Sequence, residues 1–166
     1  IVSVPIQRNS REENKQIREG TIPEDWSEAK KRQKDTHARW SARSHKHAYG
    51  YKNHISIDAG HKIIRDYAVN DAAVHDSQVF GVLLDETNSS RDVWADSGYQ
   101  SEDNRNELEQ RGYRAHLQRK GCRHKKLTDW ERQGNRTRSR IRCRIEHVFG
   151  VQAQMAGTLL LRTIGK

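Results

Sequence analysis

The sequence predicts a mixed α/β fold, a sheet flanked by helices, on three observations. Tyr49, Tyr51, Ile55 and Ile57 alternate with Gly50, Lys52, His54 and Ser56, the period of a half-buried strand. A second β-branched stretch, Ile63 to Val69, follows the turn-forming run Asp58-Ala59-Gly60, so the two strands make a hairpin. Beyond the hairpin, helical and strand patterns take turns. Strands first, then alternating helix and strand, is the order of a mixed sheet.

Taken along the chain, Ile1 to Ile6 (IVSVPI) reads as the end of a strand, stopped near Pro5. Residues 7–44 are polar and crowded with charge, and read as a basic insertion or long connection. Within it RNSREENKQIREG has the makings of a short solvated helix capped by Ser10. Asp76 to Leu84 (DSQVFGVLL) reads as a short amphipathic helix, and Val93-Trp94-Ala95 as a brief apolar strand running into Asp96. Ser101 should cap a polar helix that ends at Gly112, because glycine takes the left-handed conformation that closes a helix. Tyr113 to Leu117 is a further strand, Thr128 opens the last helix, and Leu159 to Ile164 could add an edge strand.

One segment carries two periods. Arg136, Arg138, Arg140, Arg142 and Arg144 alternate like a strand. Ile141, Ile145, Val148 and Phe149 fall at i, i+4, i+7 and i+8, the stripe of an amphipathic helix. The stripe runs past the arginines into the EHVFG segment, so helix is the reading.

The chain has 166 residues, 33% of them apolar and 32% charged, which suggests one domain with a lean core. Thirty-one basic residues against 22 acidic ones give a net charge of +9 and a pI near 9.8, a surplus that attracts nucleic acid at long range. A membrane is the competing polyanion, but the longest apolar run, Gly157 to Leu161, is far too short to span one. Cys122 and Cys143 form neither a disulfide framework nor a CxxC knuckle, which suits a reduced, cytoplasmic setting. A zinc site from Cys122, His124 and other histidines lacks recognisable ligand spacing.

Three places could carry chemistry. Asp96, in VWADSGY, stands at the C-terminal end of a strand, where α/β sheets place functional groups; the plain alternative is a turn or capping aspartate. Glu146, in RCRIEHVFG, lies one helical turn beyond Arg142, and the plain alternative there is a surface ion pair. The arginines of that helix, 136, 138, 140, 142 and 144, have the density of a phosphate-binding surface, with Lys52 on the hairpin as a further cation. His75 and Asp76, in DAAVHDSQ, follow the returning strand and could support a site at the sheet edge, or simply cap the next element.

The blocks RNSREEN, GYKNH, HKIIRDYAVNDAAVHDSQ, VWADSGYQS and RSRIRCRIEHVFG, in that order, resemble the DDE transposases of bacterial insertion sequences. The resemblance spans essentially the whole chain, so residues 1–166 read as a single, partial catalytic domain. It implies a ribonuclease-H-like fold and two-metal phosphoryl transfer, with three carboxylates holding two Mg²⁺ (or Mn²⁺) ions about 3.5–4 Å apart. Oxygen donors suit such hard cations. By resemblance Asp96 is the second carboxylate and Glu146 the third, with Arg142, His75 and Asp76 in support. The implied partner is double-stranded DNA, held by a homodimer, in a nucleoid-associated cytoplasmic protein with no membrane attachment.

Two departures from the pattern shape the expectation. The family's first carboxylate belongs to the first strand, and Ile1 to Ile6 contain no acid, so it would fall before Ile1 in a chain that reads as N-terminally truncated. Asp58 is the nearest substitute, but it sits in a turn. The family's lysine beyond the glutamate is replaced near Ala153. The expectation is a transposase fragment that binds DNA and does not cleave it. A non-catalytic basic nucleic-acid-binding protein is the alternative.

Overall fold

The computed structural model describes residues 2–3, 7–43 and 46–155. Along the chain these form β1 (Val2–Ser3), α1 (Arg11–Arg18), α2 (Glu28–Gln33), β2 (Arg39–Arg43), β3 (Lys46–Ile57) and β4 (Ile64–Asp71). Then come β5 (Asp92–Ala95), α3 (Glu102–Gln110), β6 (Arg114–Leu117), α4 (Asp129–Arg142) and α5 (Arg144–Met155). Helices accompany both antiparallel and parallel strands, an α/β architecture consistent with the ribonuclease-H-like class. Of the strand expected over Ile1 to Ile6, Val2–Ser3 is described; the edge strand expected at Leu159 to Ile164 lies outside the described residues.

The described chain forms two compact units, one of residues 2–53 and 69–74, the other of His54–Ala68 and His75–Met155. In the first, β3 runs antiparallel to β1, with Val2 opposite Tyr51, and to β2, with Arg39 opposite Gly50 and Trp40 opposite Tyr49. Ala38, Tyr49 and Tyr51 are buried together, with Trp40 packed against them. This aromatic core is organised around a buried carboxylate. Tyr51 donates its hydroxyl to Asp35 at 2.7–2.8 Å, and the His37 and Ala38 amides donate to Asp35 Oδ1 at 2.9 and 3.0 Å. Residues 7–44 thus hold α1, α2 and β2.

Ser10 caps α1 through a capping box with Glu13, as its spacing suggests. Glu13 is also the hub of a network, accepting from the Trp26 indole at 2.9 Å and the ammonium groups of Lys30 and Lys34, both at 3.2 Å. Burial alone would raise its pKa. The Ser10 amide, Trp26 and the two lysines together overcome that and hold it at about 2.

In the second unit, β5 and β6 are parallel, pairing Asp92 with Arg114 and Ala95 with Leu117. Such a pair needs a crossover, and α3 supplies it. Ser101 caps α3 and Gly112, at φ 70°, follows its end. The core here is Phe80, Leu108, Tyr113 and Leu117, with Leu84, Val93, Ala95 and Tyr99 against it.

The helix expected over Asp76 to Leu84 is instead two 3₁₀ turns, Asp76–Val79 and Gly81–Leu83. Three residues per turn bring Phe80 and Leu83 to one face, and both are buried. A Cβ on Gly81 would come within 2.6 Å of the Glu107 carboxylate, so this segment and α3 meet closely. The arginine segment is helical, but it is two helices, divided at Cys143, where Glu146 N–H bonds back to the Cys143 carbonyl at 3.1 Å. Ile141, Ile145, Val148 and Phe149 are half-buried as the stripe requires.

Candidate active site

Asp96 follows the last residue of β5, at the edge where β5 and β6 both end. Its Oδ1 accepts from the Ser97 amide at 2.6 Å and caps the short Ser97–Tyr99 turn. Asp96 is therefore a capping aspartate, the plain alternative that its position also allows. Capping occupies one oxygen; Oδ2 makes no hydrogen bond among the described residues.

The turn sends Tyr99 back into the unit. Its ring packs on Phe80 at 5.6 Å and edge-on to His54 at 6.2 Å, and its hydroxyl lies 2.9 Å from His54 Nδ1. Burial, then the negative charges of Asp76 and Asp96, push the Tyr99 phenol up to about 12. Both carboxylates thus act electrostatically on one phenol. A Cβ on Gly98 would stand 3.1 Å from Asp76 Oδ2, a close approach that glycine permits. Asn104, 6% exposed on α3, donates Nδ2 to the Ser77 carbonyl at 3.1 Å and to the Tyr99 carbonyl at 2.7 Å. One amide therefore fixes the segment bearing Asp76 against the segment bearing Asp96.

Local sequence gives little to mark His54, Tyr99 and Asn104 as neighbours of Asp96. His54 occupies a position that strand alternation assigns to the polar face, yet it and Ile55 are both buried, at 4% and 6%. Tyr99 lies within the DSGY block beside Asp96, and that proximity is the only local signal. Asn104 looks like any polar residue of a solvated helix.

His75 is exposed, and its Nδ1 accepts from the Ser77 amide at 3.3 Å, so the histidine caps the first 3₁₀ turn. Lys52 belongs to the first unit, where Nζ donates to the Val74 carbonyl at 2.6 Å. Asp58 sits in the β3–β4 turn, accepting from the His61 amide at 2.6 Å.

Glu146 lies in the first turn of α5, with its side chain 60% exposed, and Arg142 donates to it at 2.9 Å. The helix distributes the arginines. Arg136 and Arg140, at i and i+4, are exposed; Arg138 and Arg142 are half-buried on another face; Arg144 donates to the Ala59 carbonyl in the hairpin turn. Thr128 and Glu131 form a capping box at the start of α4. Asn135 makes reciprocal bonds with the Arg119 backbone at 2.8 and 2.9 Å, fastening α4 to the chain leaving β6.

Both cysteines are exposed and free, and among the described residues no group of three or more His, Cys, Asp or Glu side chains is placed to hold a metal ion. Among the same residues no helix is long and apolar enough to cross a membrane.

Residues 19–162 match the family model described as "Transposase DDE domain". The "Transposase for insertion sequence element IS1106" of Neisseria meningitidis serogroup B is 32% identical over 117 residues, covering 70% of this chain and 40% of that protein. The chain therefore spans less than half the length of this relative. No solved structure gives a significant match. With a match over most of its length, and with Asp96 and Glu146 in the ADSGY and RCRIEHVFG blocks, the chain belongs to the DDE transposase family.

Proposed function

We propose that residues 1–166 form part of a catalytic domain for phosphodiester hydrolysis and strand transfer at insertion-sequence ends, with Asp96 and Glu146 as two of its three metal-binding carboxylates. The observation that carries the reading is the state of Asp96: one oxygen is held by the Ser97 amide, and the other makes no hydrogen bond among the described residues, at the shared end of two parallel strands. Glu146 is accessible and oriented by Arg142. As hard oxygen donors both suit Mg²⁺ or Mn²⁺.

Two such ions, when bound, lower the pKa of the attacking water or 3′-hydroxyl and stabilise the leaving oxygen. The protein's own residues supply placement. Asn104 and the His54–Tyr99 pair hold the Asp96 turn rigid, with Asp76 beside it. Arg142 orients Glu146, and Arg136, Arg138, Arg140, Arg144 and Lys52 contribute positive charge toward double-stranded DNA. A homodimer holding two DNA ends and a nucleoid location belong to the same proposal.

The net charge of +9 and the arginine-rich helix suit a second reading equally well, in which this chain is a non-catalytic basic nucleic-acid-binding protein. The 166-residue chain is expected to bind duplex DNA with steep salt dependence and to leave supercoiled plasmid intact in Mg²⁺. Nicking by the chain, abolished in Asp96→Asn and Glu146→Gln, would instead establish a complete catalytic set. A flat salt response would sink both readings.

A further inference from the structure

The first unit carries a cation-lined depression that contains neither Asp96 nor Glu146. Arg11, Lys15 and Arg18 fall at i, i+4 and i+7, one face of α1, which packs on β2 and so on Arg39 and Trp40. Together with Asn14 these residues line a cavity of about 190 Å³, and none of its lining residues is acidic.

Three features of the depression point to an anionic ligand. Arg11, Lys15 and Arg18 are exposed and make no ion pair among the described residues, whereas Lys30, Lys31 and Lys34 of the same unit are each paired with a carboxylate. Arg39 is held by the Thr36 and Ala38 carbonyls at 2.6 and 3.0 Å through Nη1 alone, which leaves other N–H groups of its fork for an anion. Asn14 is 7% exposed, and neither its Nδ2 nor its Oδ1 has a hydrogen-bond partner among the described residues. Buried amides are nearly always hydrogen-bonded, so an unpaired one lining a positive depression is a donor awaiting an acceptor. Trp40 makes a fixed wall, its indole N–H bonded to the Asn9 carbonyl at 2.7 Å and the Arg8 guanidinium 6.0 Å from its ring centre.

We propose that this depression binds the phosphodiester backbone of duplex DNA, with Arg11, Lys15, Arg18 and Arg39 meeting phosphate oxygens and the Asn14 amide donating to one of them. The proposal rests on the reading of DNA as partner and adds a contact on residues that the carboxylate site does not use. From Arg11 to Arg18 is roughly 10 Å along a helix axis at 1.5 Å per residue. A duplex strand carries a phosphate about every 3.4 Å of its axis, so more than one phosphate comes within reach.

The test is fluorescence anisotropy with a duplex of arbitrary sequence between 50 and 200 mM salt, using the whole 166-residue chain. An Arg11→Gln/Lys15→Gln double variant is compared with Lys31→Gln/Arg32→Gln, which removes the same charge from α2. The α1 pair should lower the slope of log K against log salt by ~1.8, about 0.9 for each phosphate contact, and affinity at 0.1 M salt by about tenfold. The α2 pair should change the slope little. Equal losses from both pairs would mean that only diffuse charge matters, and would overturn the proposal while leaving DNA binding intact. Absence of any salt-dependent binding by the unaltered chain would remove the DNA reading itself. Asn14→Asp, with its thermal midpoint measured alongside, should weaken binding by placing a negative charge in the lining. Should that variant fold and bind like the parent, the proposal fails; should it not fold, the exposed pairs decide.

Discussion

The Tyr99 hydroxyl lies 2.9 Å from Nδ1 of His54, a residue 45 positions earlier in the chain, and both side chains sit beside the turn capped by Asp96. Tyr99→Phe keeps the ring on Phe80 and removes only this bond, leaving a nitrogen of His54 to lose its partner in a site where the residue is 4% exposed. Unfolding in urea should show a loss of about 1–2 kcal/mol. A change of only a few tenths would mean that the pair contributes little to holding the turn.

Two substitutions separate the capping of the Ser97 turn by Asp96 from the metal-binding role proposed for it. Asparagine caps helical turns as well as aspartate does, so Asp96→Asn should retain stability, while Asp96→Ala should lose about 1 kcal/mol. Both should lose divalent-metal affinity, measured by calorimetry on the folded proteins. An Asp96→Asn variant that binds Mg²⁺ like its parent would leave Asp96 as a cap alone.

Asp35 is 1% exposed and accepts from the Tyr51 hydroxyl and two backbone amides, while its own carbonyl takes the Tyr49 hydroxyl at 2.8 Å. Asp35→Ala strands the Tyr51 hydroxyl and the two amides inside an aromatic core, while the Tyr49 bond to the main-chain carbonyl is kept. The expected cost is about 3 kcal/mol or more, because several buried groups lose their partner at once. Thermal melts of this variant beside Tyr51→Phe, which removes one donor only, should rank the aspartate as the larger loss.

Glu13 gives stability a defined pH dependence. Its folded pKa of about 2 lies below the ordinary value of 4.5, so the unfolded chain binds the proton more tightly. Its contribution is complete above about pH 4.5 and disappears as pH falls toward 2. In Glu13→Gln that dependence should vanish: urea midpoints of parent and variant should differ most at pH 5 and converge near pH 2. Curves that stay parallel over this range would show that the carboxylate's charge is not what the network uses.

Much of the local structure was legible because it depends on atoms within a few residues. Ser10, Ser101 and Thr128 cap helices where a hydroxyl can reach an amide three positions on, and Gly112 takes the positive φ that follows a helix end. The arginine segment is helical, as its apolar stripe at helical spacing indicates, with Ile141, Ile145, Val148 and Phe149 half-buried. The blocks around Asp96 and Glu146 likewise carried the family in their order along the chain.

What the sequence by itself determined was thus the α/β class, the starts of three helices at Ser10, Ser101 and Thr128, the stop at Gly112, and the family. Tertiary structure decided the rest. It split Asp76 to Leu84 into two 3₁₀ turns, divided the arginine helix at Cys143, and buried His54 on a nominally polar face of its strand. It also set Asn104 between two backbone segments and gathered Arg11, Lys15, Arg18 and Arg39 around Asn14, whose amide has no partner among the described residues. The physical reason is range. Capping and periodicity are local energies, whereas the partner of a buried histidine or amide is chosen by elements that meet only when the chain has folded.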